Sequence, residues 1–475
     1  MISLRKLTIA AAGLLATACS LEPGYQRPAS PVPQSWPEAV TPAAGQTAVA
    51  EIGWRDFFTD PQLQQLIALA LQNNRDLRVA ALNVQAAQAQ YRIQRADLFP
   101  SVAATGGESV ERYANGVGSA TPGGSIARTY SVGIGFTSYE LDLFGRIRSL
   151  NHAALEQYLG YQETRRSTQL SLVAEVANAY LSWLADASLL QLTRDTLNSQ
   201  NASYALTKKS FDLGASTALD LRQAEITVDT ARANLAAYTR QLAQDRNALQ
   251  LLVGAPLPAT LQSAEQFERQ QFVAELPSGL PSQVLTQRPD VLAAEHQLIA
   301  ANADIGAARA AFFPSISLTG NFGTASPQLD GLFKDGAETW TFAPQISVPI
   351  FAGGANAANL DLAKIEKNVY VAQYEKAVQT AFRETADSLD ALATLDDQLA
   401  AQQALVKTSN EAYALSDLRF RHGVDSYLSV LDAQRTLYSA QQALLNVKLA
   451  RLQNLVTLYK ALGGGAVEHT ASATP

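Results

Sequence analysis

The stretch Phe312-Phe313-Pro314-Ser315-Ile316-Ser317-Leu318-Thr319-Gly320-Asn321-Phe322 decides the fold. Proline breaks what precedes it, and then Ile316, Leu318, Gly320 and Phe322 alternate with Ser317, Thr319 and Asn321. Period two means a strand with one apolar and one polar face. The same signature stands earlier at Leu98-Phe99-Pro100-Ser101, an offset of 214 residues (Pro100 to Pro314) that also relates Asp76-Leu77 to Asp290-Val291. A second offset, 209 residues (Gly214 to Gly423), carries Tyr204-Ala205-Leu206, Phe211, Leu219, Ala224 and Gly254 onto Tyr413-Ala414-Leu415, Phe420, Leu428, Ala433 and Gly463. Repeats this long are not solenoid units. They mark one duplicated supersecondary unit, whose departures from symmetry are informative.

Each copy pairs strands with long helices. In the first, Tyr130, Val132, Ile134 and Phe136 alternate with Ser131, Gly133, Gly135 and Thr137, after Val102-Ala103-Ala104-Thr105 and a Gly/Ser-rich loop; in the second, Phe342, Pro344, Ile346, Val348 and Ile350 alternate with polar or small neighbours. Two hairpins result, at 100–144 and 314–351. Long outer loops with helices at the roots suit a membrane barrel, although Pro344 and Pro349 remove ladder donors. Four strands cannot close a cylinder, and an open edge in lipid strands backbone donors at several kcal/mol each. If the strands lie in lipid, a homotrimer is required, giving about twelve strands. A small soluble sheet is the other reading.

The helical parts are long. Leu221, Ala224, Val228, Ala231, Leu235, Tyr238 and Leu242 step by alternating three and four, as do Val430, Ala433, Leu437, Ala440, Leu444 and Val447. That is a left-handed coiled-coil seam, interrupted at Asp245 and Arg451. The glycine-free and proline-free run from Arg165 to Asp212 and the following Thr217 to Val253 make an antiparallel hairpin whose tip is Phe211-Asp212-Leu213-Gly214; Phe420-Arg421-His422-Gly423 is its twin. The organisation read from these signals is a signal segment 1–18, an N-terminal tether and equatorial segment 19–59, repeat one over 60–254 (a helix from about Asp60, the β-hairpin, the helical hairpin), a linker 255–280, repeat two over 281–463 in the same order and a tail 464–475.

Composition narrows the function. The net charge of −7 and the lack of a basic stripe argue against nucleic acid. Arg5-Lys6 precede an apolar run ending in Leu15-Ala16-Thr17-Ala18-Cys19, too short to span a bilayer as a helix but right for an export signal. Cys19 is the single cysteine, so it forms no internal disulfide; it reads as a lipoprotein acceptor, with Ser20 after it pointing to the outer membrane. The four histidines (His152, His296, His422, His469) lack metal-ligand spacing, and neither a nucleophile elbow nor a phosphate-cradling loop occurs. No enzyme, metal or cofactor is expected.

Trp54-Arg55-Asp56-Phe57-Phe58, Asn74-Arg75-Asp76-Leu77-Arg78-Val79-Ala80-Ala81-Leu82-Asn83, Tyr139-Glu140-Leu141-Asp142-Leu143-Phe144-Gly145-Arg146, Gly306-Ala307-Ala308-Arg309-Ala310-Ala311-Phe312-Phe313-Pro314-Ser315, Leu431-Asp432-Ala433-Gln434-Arg435 and Leu458-Tyr459-Lys460-Ala461-Leu462-Gly463-Gly464-Gly465 together resemble the TolC-like outer membrane factors of tripartite efflux pumps, in particular the lipidated OprM-type multidrug members. The resemblance implies a mixed α/β membrane protein: a homotrimer with a twelve-stranded outer-membrane β-barrel continuous with a long periplasmic α-helical barrel. An equatorial belt would come from the N-terminal tether, residues 255–280 and the chain's end. It implies a passive exit duct for small molecules, serving an inner-membrane RND transporter through a periplasmic adaptor protein at the helical tips. A duct for type I protein secretion and a periplasmic coiled-coil scaffold are the competing readings.

The tips hold the candidate site. Asp220 and Asp432 match acidic or gate positions of the family. Thr217-Ala218-Leu219-Asp220 also has capping-box spacing, so Asp220 is read either as a gate residue or as a helix cap. Asp432 lies beyond the first turn of its helix, where Asp425 or Ser426 caps and Ser429 takes the place of Asp220; it is too deep to cap. With Leu428 one turn before it on the same face, a trimer would make a ring of three carboxylates beside an apolar constriction. Gly214, Arg419, Arg421, His422, Gly423 and Asp425 are the expected adaptor contacts or cross-chain ion pairs.

Overall fold

The computed structural model describes residues 20–33, 49–112, 126–258, 261, 267, 270 and 282–470. The signal segment, Cys19 and most of the 255–280 linker lie outside the described residues. Seven long helices and four strands make up the frame: α1 Pro61–Asn73, α2 Arg75–Ala96, β1 Val102–Arg112, β2 Ile126–Leu141, α3 Arg146–Asp212, α4 Ala218–Val253, α5 Pro289–Ala310, β3 Ser315–Ser326, β4 Glu338–Ser347, α6 Ala355–Arg421 and α7 Tyr427–Ala461. The chain divides into two compact units, one of 1–29, 83–161 and 293–374, the other of 30–82, 162–292 and 375–475. No helix of the described residues is long and apolar enough to cross a membrane, which bears only on helices.

The first unit holds the sheet, in the order β1-β2-β3-β4 and antiparallel throughout. The expected hairpins are both present. Their register sets Ala104 opposite Ile134, Ile134 opposite Phe322, and Phe322 opposite Trp340. None of the strand residues is buried. Ile126, Ile134, Phe322, Trp340, Phe342 and Ile346 all stand more than half exposed. Pro344 is accommodated because β4 is an edge strand, and β4 stops at Ser347 rather than running to Ile350, just ahead of Pro349. A bulge between Phe136 and Tyr139, with Ser138 at φ 54°, bends β2 toward its root. There the Glu140 carboxylate accepts two bonds from Arg146 (2.9 and 2.6 Å) and Asp142 accepts from the Arg148 backbone N–H (2.9 Å). Those contacts, with Gly145 at φ 77°, give the Tyr139–Arg146 motif its meaning: it turns a strand into a helix.

Three sequence boundaries are corrected. Helix α3 begins at Arg146, not near Arg165, and takes Gly160 into its interior, where an added Cβ would make ordinary contact with the His296 Cβ and the Ala293 carbonyl. The helix expected to start near Asp60 is two helices, α1 and α2, divided at Asn74, whose Oδ1 accepts from Leu77 N (2.9 Å) while its Nδ2 donates to Leu252 O (2.8 Å). The segment after Cys19 is not a loose tether. Residues 20–28 lie along the first unit's helices: Arg27 donates twice to Glu295 (2.7 Å each), Tyr25 donates to Glu295 (2.9 Å), Asn302 to Pro23 O (2.7 Å) and Arg309 to Leu21 O (3.1 Å).

The second unit carries the main core. Trp54, Phe57, Phe58, Leu63, Leu66, Val176, Tyr180, Leu184, Val253, Val456 and Tyr459 form one cluster, with the Phe57 and Tyr459 rings stacked. The segment after α7 meets the stretch before α1 here: Val467 O accepts from Trp54 N (3.0 Å) and Glu468 pairs with Arg55 (2.6 Å). On the seam, Leu221, Ala224, Val228, Ala231, Leu437, Ala440 and Val447 are buried, while Leu235, Tyr238, Leu242, Ala433 and Leu444 are half-buried. The interruptions have structural reasons. Arg451 pairs with Asp396. Asp245 on α4 faces Asp186 on α3, and burial, then the hydrogen bond between the two carboxyls, then the Asp245 charge push Asp186 up to about 7.

An acid held above its unfolded value destabilises the fold increasingly as pH rises. Near pH 4 and below, both states hold the proton and the penalty vanishes; between about 4 and 7 only the unfolded chain ionises, and above 7 the full cost is present. Asp186→Asn is therefore expected to raise the calorimetric melting temperature at pH 8 and to leave it unchanged at pH 4. Equal shifts at both values would contradict a proton shared by this pair.

Candidate functional site

The two tips of the second unit repeat in backbone and differ in chemistry. Gly214 and Gly423 both adopt left-handed φ (73° and 72°), and no atom lies within 4 Å of where a Cβ would stand. Backbone strain of about 1–2 kcal/mol, not crowding, is what demands glycine there. Beneath them Ala224, Tyr427, Val430 and Leu431 are buried, with Tyr204, Tyr413 and Phe420 packed alongside.

Asp220 sits in a complete capping box. Its backbone N–H donates to Thr217 Oγ1 (3.2 Å), while its carboxylate accepts from Thr217 N (2.9 Å) and Oγ1 (2.7 Å). The Thr217 hydroxyl and then its backbone N–H hold the Asp220 carboxyl below its usual value. The second tip lacks this box. Ser426 occupies the N-cap of α7 without a side-chain bond, and Asp425, a candidate cap from sequence, instead binds Arg419 twice (2.5 and 3.0 Å). That guanidinium holds Asp425 below the usual carboxylate range. Arg421 pairs with Asp417 one turn back (2.8 Å), and His422 is exposed. Arg419, Arg421, His422, Gly423 and Asp425 thus lie at the end of α6 and in the turn after it, whereas Gly214 belongs to the other tip, between α3 and α4.

Asp432 and Leu428 lie together on the wall of one cavity of about 900 Å³ in the second unit, lined by α3, α4, α6 and α7. Leu428 is 51% exposed, though apolar, and Asp432 is exposed and paired with Arg435 at 2.6 Å. Asp220 does not line that cavity. Arg435, present in the motif from Leu431 but not among the expected site residues, joins the site here, and its i,i+3 spacing from Asp432 is the sequence signal for it. Gln200 on the same wall carried no sequence signal, because only the packing of four helices brings it there. No group of three or more His, Cys, Asp or Glu among the described residues is arranged to hold a metal ion.

Comparison with known proteins bears on the family and the fold. A family model described as outer membrane efflux protein matches twice, at residues 66–255 and 280–464, which is the duplication seen in the chain. The chain is 52% identical over 470 residues to the toluene efflux pump outer membrane protein TtgC of Pseudomonas putida, covering 98% of this chain and 97% of that one. It has the same identity and coverage with the antibiotic efflux pump outer membrane protein ArpC of Pseudomonas putida. The crystal structure of the open state of the Neisseria gonorrhoeae MtrE outer membrane channel superposes with a TM-score of 0.86 at 40% identity, over 96% of this chain and all of that one.

The cap has a direct test. Thr217→Ala removes a hydroxyl acceptor from the first turn of α4, at about 1 kcal/mol. Amide exchange at Asp220 and Leu221 is expected to quicken about fivefold, with no change at the second tip. Exchange unchanged at both residues would show that the box contributes nothing to the helix start.

Proposed function

The chain belongs to the outer membrane efflux protein family, and from that premise we propose that three copies close one passive duct that carries antibiotics, solvents and similar small molecules out of the periplasm. The observation that carries this reading is the sheet. It has four strands, two unpaired edges at β1 and β4, and a set of large apolar side chains left exposed. In lipid such edges are costly unless each meets another strand. Pairing β1 of one copy with β4 of the next closes twelve strands, within the range of membrane barrels. Cys19 anchors the chain by lipid in the outer membrane. A periplasmic adaptor contacts the tips, at Gly214, Gly423, Arg419, Arg421, His422 and Asp425, and an inner-membrane RND transporter supplies cargo. Efflux is favoured over protein secretion by what TtgC and ArpC are named for.

The constriction is proposed at Leu428 and Asp432, the exposed leucine and carboxylate that share one cavity wall. Asp220 already serves its own helix start, so its part in gating is secondary.

Purified protein in planar bilayers tests both proposals. Asp432→Ala is expected to weaken cation preference, and Leu428→Ala to raise single-channel conductance about twofold or more, as an apolar constriction widens. Unchanged traces in both variants would remove the gate assignment. A monodisperse monomer by light scattering in detergent, with no channel activity, would remove the trimer. Deleting the gene and comparing drug susceptibility with protein export separates efflux from secretion.

A further inference from the structure

We infer that α6 of one copy docks on α2 of the next in the register that joins α3 to α5 within a chain, through an apolar stripe on α6 and an ion pair between Arg92 and Asp361. This rests on the three-copy reading above and goes beyond it, since the sheet says nothing of which helices meet. The duplication supplies the map. An offset of 214 residues carries α2 onto α5. An offset of 209 carries α3 onto α6, each 67 residues long and each preceded by a glycine of positive φ, Gly145 and Gly354. In the first unit the Tyr91 ring of α2 stacks with Tyr158 of α3, His296 of α5 donates to Glu156 of α3 (2.7 Å), and Asn356 of α6 donates to Ala311 O just past α5 (2.9 Å). The helices therefore neighbour one another in the order α2, α3, α5, α6. The next step, from α6 to a further α2, is the one a single chain leaves open.

The junction of α3 with α5 shows what the open one must contain. Ser149, Ala153, Glu156 and Gly160 form a stripe on α3 in steps of four, three and four, and all four are buried. Ala153 clusters there with Ala300 and Ala303 of α5. The equivalent stripe on α6 is Ala358, Leu362, Ile365 and Val369. Every member is exposed, the last three at 53, 59 and 49%. On α2 the equivalents of Ala300 and Ala303 are Ala86 and Ala89, also exposed. Large apolar side chains at helical spacing fit closely against alanines on a second helix, and left in water they are a liability.

The charges agree with this register. At the inner junction Glu22 lies so close to Gly306 that a Cβ there would come within 2.9 Å of the Glu22 Cα, and the Glu22 carboxylate accepts from His152 Nδ1 (3.1 Å). The counterpart of Gly306 is Arg92, and the counterpart of His152 is Asp361. An arginine side chain leaving α2 at that point fills the place Glu22 takes beside α5, and it meets an aspartate where Glu22 meets a histidine. Acid and base exchange sides, and the attraction is kept. Arg92 is exposed and makes no ion pair among the described residues, while Asp361 is exposed and reaches Lys364 at 3.4 Å.

Disulfide trapping of the full-length protein in detergent tests the register. With Ala89→Cys and Leu362→Cys in one chain, mild oxidation is expected to give a covalent trimer on non-reducing gels, because each bond joins two copies. Neither single variant should do so, nor Ala89→Cys combined with Val369→Cys, which is two turns out of register. These positions are exposed in one chain, so the changes leave its fold intact. Arg92→Glu and Asp361→Arg are each expected to lower the temperature at which the trimer dissociates, and the double reversal to restore it. A double reversal no better than the single ones would remove the ion pair. A trimer by light scattering that does not cross-link between positions 89 and 362, or in which Leu362→Cys reacts freely with a water-soluble maleimide, would overturn the register and leave the duct reading standing. A monomer would remove both, so the two failures are separately visible.

Discussion

Backbone hydrogen bonding at the two free edges of a four-stranded sheet is the constraint on which the rest of this protein depends. A strand pairs on both sides or exposes a row of donors and acceptors, and soluble proteins blunt such edges with charge, proline or cover. Here β4 carries Pro344, yet both edge strands are ten or more residues long and the sheet bears Trp340, Phe342 and Phe322 in the open. A face of that kind is stable in lipid and a liability in water. Membership in the outer membrane efflux family resolves the conflict, because lipid takes the apolar side chains and a neighbouring strand takes the edge. The same chemistry that makes one copy incomplete makes an assembly closed.

Duplication explains why one chain supplies two hairpins of each sort. Both the strand signature and the tip glycine recur at nearly constant offsets, so each copy brings a β-hairpin and a helical hairpin. Duplication also frees one copy to change. The carboxyl pair of Asp186 and Asp245 has no counterpart in the second copy, where Leu395 and Asn454 stand at the equivalent positions.

Much of this was legible before any coordinates. The period-two runs, the proline breaks and the tip glycines are local signals, and they located all four strands and both turns. The rest depended on contacts between distant segments. The glycine-free run from Arg165 understated α3, because a single interior glycine such as Gly160 costs a helix only about 1 kcal/mol and a helix this long absorbs it. Residues 20–28 looked like a linker because their prolines forbid regular structure, but Glu295, Asn302 and Arg309 bind them down. Asp245 looked like a flaw in a seam, since nothing in its neighbourhood names Asp186 as its partner. Gln200 was silent for the same reason: an unmatched acceptor exists only relative to a packed wall.

The asymmetry of the tips follows from where each copy keeps its carboxylates. In the first copy Asp220 stands at the third helical position, reaches back to Thr217 and is consumed by the helix start. At the equivalent place the second copy has Ser429, which has no carboxylate to reach back with, and Ser426 makes no cap bond. The acidic groups sit instead on either side of that position, Asp425 clamped by Arg419 before it and Asp432 beside Arg435 after it. Exposed ion pairs of this kind weaken with salt and are individually worth little, whereas a capping box is local and short-ranged. The second tip is therefore held by interactions that ionic strength and a charged partner can compete with, and the first is not. The two hairpins of one chain thus differ in what holds their tips, and the position where Asp220 is replaced by Ser429 is where they part.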